Sequence, residues 1–174
     1  MTPAELLAKK IRDVPDFPEP GVVFKDITPL LQDPESLELA CELLAGPYRE
    51  HRVELVVGIE SRGFIFGPAV ARQLRAGFVP ARKLGKLPWE TVSERYDLEY
   101  GSNEIEMHRD AIAPEQRVLL IDDLIATGGT AAATVKLIRR MGGDVVGSCF
   151  LIELSFLEGR KALHGIEVES ILTY

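Results

Sequence analysis

Residues 117 to 130 read RVLLIDDLIATGGT: an aliphatic run closes on two adjacent carboxylates, Asp122 and Asp123, then passes through Thr127-Gly128-Gly129-Thr130. The run is short and apolar enough for a strand buried on both faces. TAAATVKLIRRMGG follows, with helical spacing, basic Lys136, Arg139 and Arg140 toward its C-terminal end and glycine to close it. A buried strand that turns within a few residues into a helix is half of a βαβ unit, so parallel strands are required elsewhere in the chain. VELVVGI (53–59), GFVPAR (77–82) and DVVGSCFLIEL (144–154) supply them, and FIFGPAVARQLRA (64–76) supplies another helix. The expectation is an α/β fold with an open, mostly parallel sheet flanked by helices. Ligands of such sheets bind beyond the carboxyl ends of the strands, where Asp122 and Asp123 lie.

The remaining segments fill in a single domain of 174 residues. Thr2-Pro3-Ala4-Glu5 is a capping box with proline at the first helical position, which predicts a helix to about Arg12. VPDFPEPGVVFKDITPLL carries four prolines between 15 and 29 and predicts an ordered, partly apolar loop. Asp33-Pro34 caps a helix with an apolar face of Leu37, Ala40, Cys41, Leu44 and Tyr48. From Lys83 to about Asn103 the pattern weakens before EIEMH resumes a strand-like alternation, and a weakly structured stretch of that length reads as a functional flap or a disordered excursion.

A net charge of −7 opposes broad attraction to nucleic acid or anionic lipid, so an anion bound by this chain must be held locally. The N-terminus is too polar for a signal peptide, and no apolar run approaches the roughly 18 to 20 residues of a membrane span, which together suggest a cytoplasmic protein. Cys41 and Cys149 sit among apolar neighbours and read as reduced core thiols. His51, His108 and His164 lack metal-ligand spacing.

Thr127 to Thr130 meets the condition of local anion binding. Its successive backbone N–H groups, its glycines and the helix N-terminus behind it, worth roughly half a positive charge, form a nest that holds a phosphate without a basic side chain. The two carboxylates would repel that phosphate and need a different partner. Adjacent diol hydroxyls or a magnesium ion suit them, and a ribose 5-phosphate offers hydroxyls and phosphate together. The alternative is a solvated strand end followed by a plain turn. The glycine patterns GxxxxGK[ST] and GxGxxG are absent, and GIESRG misses the spacing of a nucleophile elbow.

VLLIDDLIATGGT resembles the phosphoribosyl pyrophosphate (PRPP) motif of the type I phosphoribosyltransferase family. DFPEPGVVFKDITPLL, GIESRGFIFGPAVA, RKLGKLP, LEYG and LIELSFLEGR resemble, in order, the adenine-using members of that family, from Ile11 onward. The resemblance implies a hood of about 1–33, a flap of about 83–103 and a reaction joining adenine to PRPP with Mg2+, giving AMP and pyrophosphate. It assigns the ribose hydroxyls to Asp122 and Asp123 and the 5-phosphate to Ala126, Thr127, Gly128, Gly129 and Thr130. It assigns pyrophosphate to Glu60, Ser61 and Arg62, with a cis peptide between Glu60 and Ser61, and to Arg82, Lys83 and Lys86. Arg82 would reach a second subunit, implying a homodimer. Adenine would meet Val23, Phe24, Lys25 and Leu154. Glu99 would relay the N9 proton and Tyr100 would close with the flap. Magnesium would be held through PRPP, with Asp122 and Asp123 as further ligands. Lys25 departs from an arginine common in relatives, and Trp89 to Arg95 match poorly.

The implied function is purine salvage. Another purine such as xanthine on the same scaffold, or a PRPP-sensing regulator without turnover, are the alternatives; the acidic chain shows no nucleic-acid-binding extension to favour the regulator.

Overall fold

The computed structural model describes residues 1–97 and 102–174, which form two compact units, Met1–Leu43 and Leu44–Tyr174. In the first, helix α1 spans Pro3–Ala8. Its capping box is formed: the Glu5 amide donates to Thr2 Oγ1 at 3.2 Å and the Thr2 amide to Glu5 Oε2 at 2.8 Å. The helix stops short of the predicted Arg12 because Arg12–Pro15 is a strand, β1, antiparallel to β2 at Val23–Asp26. Their register sets Arg12 opposite Asp26 and Asp13 opposite Lys25, and both pairs close as ion pairs, at 3.4 and 2.7 Å.

The proline-rich stretch therefore holds regular structure where the sequence predicted only a loop. Its prolines occupy positions that tolerate a missing N–H: Pro15 ends β1, and Pro29 lies in the first turn of helix α2, Thr28–Gln32. Helix α3, Pro34–Ala45, begins as predicted, with Asp33 Oδ2 accepting from the Ser36 amide at 3.3 Å.

The second unit is built on a seven-stranded sheet. In chain order it contains β3 (Leu55–Ile59), helix α4 (Gly63–Leu74), β4 (Gly77–Lys83), β5 (Thr91–Asp97), β6 (Ser102–His108), β7 (Arg117–Ile125), helix α5 (Gly129–Arg140), β8 (Asp144–Glu153) and β9 (Val168–Thr173). The spatial order is β5-β6-β4-β3-β7-β8-β9, parallel from β4 to β9 and antiparallel at β5 and β6. The open, mostly parallel sheet flanked by helices is as read from the sequence.

Two edges differ from that reading. Much of the predicted flap is a hairpin, because the alternation of TVSERYD pairs residue for residue with SNEIEMH, from Thr91↔His108 to Asp97↔Ser102. The strand β9 was not anticipated: VESILT is short and half polar, and it joins the sheet only through pairing with β8.

Alternation along the central strands divides the core. Val57, Ile59, Val79, Val118 and Leu120 pack with Val135 and Ile138 of α5. Gly58 faces the other way: a Cβ there would lie 2.7 Å from the Phe78 ring, and one on Gly67 of α4 would lie 2.4 Å from the same ring. Both glycines let α4 settle closely on that face. With both faces covered, the strands carry near-continuous apolar runs, and the polar groups of the strand ends collect at one edge of the layers.

Candidate active site

The strand β7 does not end at the acids, as its sequence suggested, but continues to Ile125, with Asp122↔Phe150 and Ile125↔Glu153 paired to β8. Asp122 and Asp123 are consecutive on an extended backbone and so point to opposite sides. Asp122 lines a cavity of about 110 Å3 together with Leu124, Ala126, Thr127, Gly128 and Thr130. Asp123 lies outside that lining, buried to 4% exposure, with its Oδ2 2.9 Å from Arg62 Nε. The contact is an ion pair without hydrogen-bond geometry, which leaves Asp123 Oδ2 able to accept a hydrogen bond.

Burial raises the pKa of Asp122 well above the ordinary carboxylate range, and the charge of Asp123 raises it further. Burial also raises Asp123, against the opposing pull of Arg62. Asp122 Oδ1 accepts from the Asp123 amide at 2.8 Å. A Cβ on Gly63, the first residue of α4, would meet Asp122 Oδ1 at 3.0 Å and the Ile121 carbonyl at 2.9 Å, so glycine there lets α4 begin against the acids. Two crowded, poorly solvated carboxylates favour a ligand rich in hydrogen-bond donors or a cation.

The adjoining turn favours an anion. Gly128 stands at φ +81 and precedes α5, which among the described residues has no side-chain cap. No described residue accepts from the amides of Thr127 to Thr130, so these donors, on residues that line the cavity at the helix mouth, are unspent. The turn is braced from behind: a Cβ on Gly128 would lie 2.3 Å from the Gly159 carbonyl, and one on Gly159 would lie 2.3 Å from the Ala126 carbonyl. Arg160 anchors that brace through paired 2.7 Å hydrogen bonds to Glu153. Ser170 Oγ donates to Glu153 Oε2 at 2.6 Å. Gly159, Arg160 and Glu153 are marked in the sequence only by their place in the segment LIELSFLEGR.

The loop between β3 and α4 carries Glu60, Ser61 and Arg62, and the Glu60–Ser61 peptide is cis. The carboxylate of Glu60 accepts from Arg82 Nε at 3.2 Å, Arg82 Nη2 at 3.3 Å and the Lys83 amide at 3.1 Å. Burial opposes its charged form, but these hydrogen bonds win and hold Glu60 below the usual range. Arg82 and Lys83 are strand residues at the end of β4, and Lys86 lies exposed in the turn beyond. Leu154 follows β8, tied to β7 by its amide to the Ile125 carbonyl at 3.0 Å. In the first unit Val23 is exposed, Phe24 packs edge-on to Phe17 with centroids 5.3 Å apart, and Lys25 pairs with Asp13. Glu99 and Tyr100 lie outside the described residues. The structure thus joins Asp122 to the anion turn, Asp123 to Arg62, and Glu60 to Arg82 and Lys83.

Residues 27–169 match the family described as phosphoribosyl transferase domain. The adenine phosphoribosyltransferase of Thermobifida fusca is 55% identical over 97% of this chain and 96% of its own length. Among solved structures, the adenine phosphoribosyltransferase of Rhodothermus marinus superposes with a TM-score of 0.95 at 58% identity, covering 99% of this chain and 98% of that one. The enzyme of Saccharomyces cerevisiae, complexed with an imino-altritol bisphosphate and adenine, gives 0.92 at 37% identity, covering 97% and 98%. With an acid pair, an open amide turn and near full-length similarity in agreement, the chain belongs to the phosphoribosyl transferase family, in its adenine phosphoribosyltransferase branch.

Proposed function

We propose that this protein transfers the 5-phosphoribosyl group of PRPP to adenine, releasing AMP and pyrophosphate in purine salvage. The observation that carries the reading is the single cavity that sets the Asp122 carboxylate beside the unspent amides of Thr127 to Thr130. A ribose 5-phosphate satisfies both at once, with hydroxyls donating to the acid and phosphate accepting from the turn.

In the reaction the C1–O bond to pyrophosphate breaks, the C1–N9 bond to adenine forms, and the N9 proton leaves. As the pyrophosphate departs, positive charge develops on the sugar. Asp122 and Asp123, pushed by burial toward the neutral form in the ligand-free protein, supply negative charge at that strand end once the hydroxyl donors and developing positive charge of the sugar favour their ionised form. Holding sugar and base in register contributes further by removing their freedom before the bond forms. Arg62, Arg82, Lys83, Lys86 and the backbone of Ser61 take the departing diphosphate, countering its charge, while the Glu60 amide is spent on the Ala81 carbonyl at 2.8 Å and the Glu60 carboxylate holds Arg82.

A magnesium ion would be held through PRPP, with the cavity-lining carboxylate of Asp122 as the protein group that fits it, whereas Asp123 points to the other side of β7 and pairs with Arg62. Among the described residues no group of three or more acidic, histidine or cysteine side chains could hold a metal by itself, so the substrate completes the site. When bound, the ion neutralises diphosphate charge.

Val23, Phe24, Lys25 and Leu154 are assigned to adenine, with the backbone at 23 and 25 reading its amino group and ring nitrogen. A 6-oxopurine exchanges donor for acceptor there and leaves buried groups unpaired. Glu99 relays the N9 proton and Tyr100 closes over the site, excluding water from a reactive sugar. A cytoplasmic homodimer with Arg82 facing the partner's site completes the assignment.

Incubation with PRPP, magnesium and each purine base in turn, following pyrophosphate release, tests the reading. AMP from adenine alone supports it; product from xanthine or hypoxanthine instead, or from no base, overturns it.

A further inference from the structure

We infer that Glu106 is a positioning residue for the diphosphate side of the site, an inference that rests on the transferase reading above. Glu106 lies on β6 opposite Arg82 of β4 and is only 3% exposed. Among the described residues no cation pairs with it. Its Oε1 instead accepts from three successive backbone amides, Gly85 at 3.1 Å, Lys86 at 3.2 Å and Leu87 at 3.2 Å. Successive amides converging on one point make an anion nest, and here the chain supplies the anion itself. A buried carboxylate is costly unless its oxygens are satisfied, so the turn and the acid fix each other.

Gly85 sits at φ +79, and a Cβ there would touch nothing within 4 Å; glycine serves the backbone conformation, not the space. The Lys86 carbonyl, held in this turn, accepts from Arg82 Nη1 at 3.0 Å. The other side of the guanidinium meets Glu60, at the cis peptide of the β3–α4 loop. A continuous path therefore runs from Glu106 through the turn and the Lys86 carbonyl to Arg82 and Glu60. Glu106 touches no substrate in this scheme. It fixes the turn that carries Lys86 and secures one end of Arg82, so that both cations are placed before the diphosphate arrives.

What matters in this arrangement is the reach of the side chain. Glu106→Asp keeps the charge but falls a methylene short of the three amides, whereas Glu106→Gln keeps an acceptor at full length. Gly85→Ala strains the turn from its exposed side without a clash in the core. Hydrogen exchange of ligand-free protein and steady-state kinetics with PRPP and adenine read the effects. Exchange at 85–87 should quicken about tenfold or more in Glu106→Asp and Gly85→Ala. The KM for PRPP should rise by about tenfold in both, by about threefold or less in Glu106→Gln, and the KM for adenine should stay within about twofold throughout. Unchanged KM for PRPP in Glu106→Asp or Gly85→Ala overturns the inference, as does a Glu106→Gln defect larger than that of Glu106→Asp, or an equal rise in both KM values. Wild-type protein inactive with PRPP and adenine would instead sink the transferase reading itself.

Discussion

Ionising Asp122 is costly in the ligand-free fold. Its pKa is raised by burial and by the neighbouring Asp123, so folding disfavours the ionised form. A carboxyl raised in the folded state gives stability that is complete below its unfolded pKa, about 3.9, and lost as pH rises through the folded value. Asp122→Asn removes that loss while keeping an oxygen for the Asp123 amide. The variant should melt at a higher temperature than wild type at pH 7, with the difference shrinking toward pH 4, while kcat/KM falls by about a hundredfold or more. Thermal melts across that range and steady-state rates check both halves; a variant no more stable at pH 7 refutes the linkage. The acid pair was legible because two carboxylates closing an apolar strand form a local pattern. The Arg62 partner was not, since it reaches Asp123 only through the packing of α4 against β7.

At the scale of elements, the anion turn depends on a brace from a distant segment. Gly128 and Gly159 approach too closely for either to bear a side chain, and Arg160 holds the second glycine's segment through Glu153 and the Val168 carbonyl. Hydrogen bonds from Arg160 hold Glu153 below the usual carboxylate range, with burial opposing and Ser170 assisting. A lowered carboxyl contributes stability above its unfolded pKa, about 4.3, that is lost as pH falls through the folded value. Arg160→Met should therefore cost about 2 kcal/mol at pH 7, less than the roughly 3–5 kcal/mol of a fully buried pair because half of the guanidinium side chain is exposed. Urea unfolding measures it, and the deficit should narrow below about pH 4. Helices and buried strands were readable from periodicity. The β5–β6 hairpin was obscured by glycine, proline and charges around it, and β9 by its half-polar sequence, because edge strands need only one buried face and owe their place to pairing.

Across the whole molecule, ligand binding and stability are one equilibrium. A ligand at a hundred times its Kd adds about 2.7 kcal/mol to the folded state, which for a domain of this size raises Tm by about 5–10 °C. PRPP with magnesium should produce that shift in wild type, and Gly128→Ala should abolish it, since its new methyl meets the Gly159 carbonyl. A full shift in the variant, seen by differential scanning calorimetry, would show that the 5-phosphate binds elsewhere. The sequence alone determined the α/β class, the acid pair and the amide turn, because each is written within one strand, loop or helix whose periodicity and local chemistry are contiguous. Only the tertiary structure decided which groups face them: Arg62 against Asp123, Gly159 behind Gly128, Glu106 under the turn at 85–87. Those partners are chosen by sheet order, strand register and close backbone approach, which bring together residues far apart in the chain and leave no repeating pattern in it.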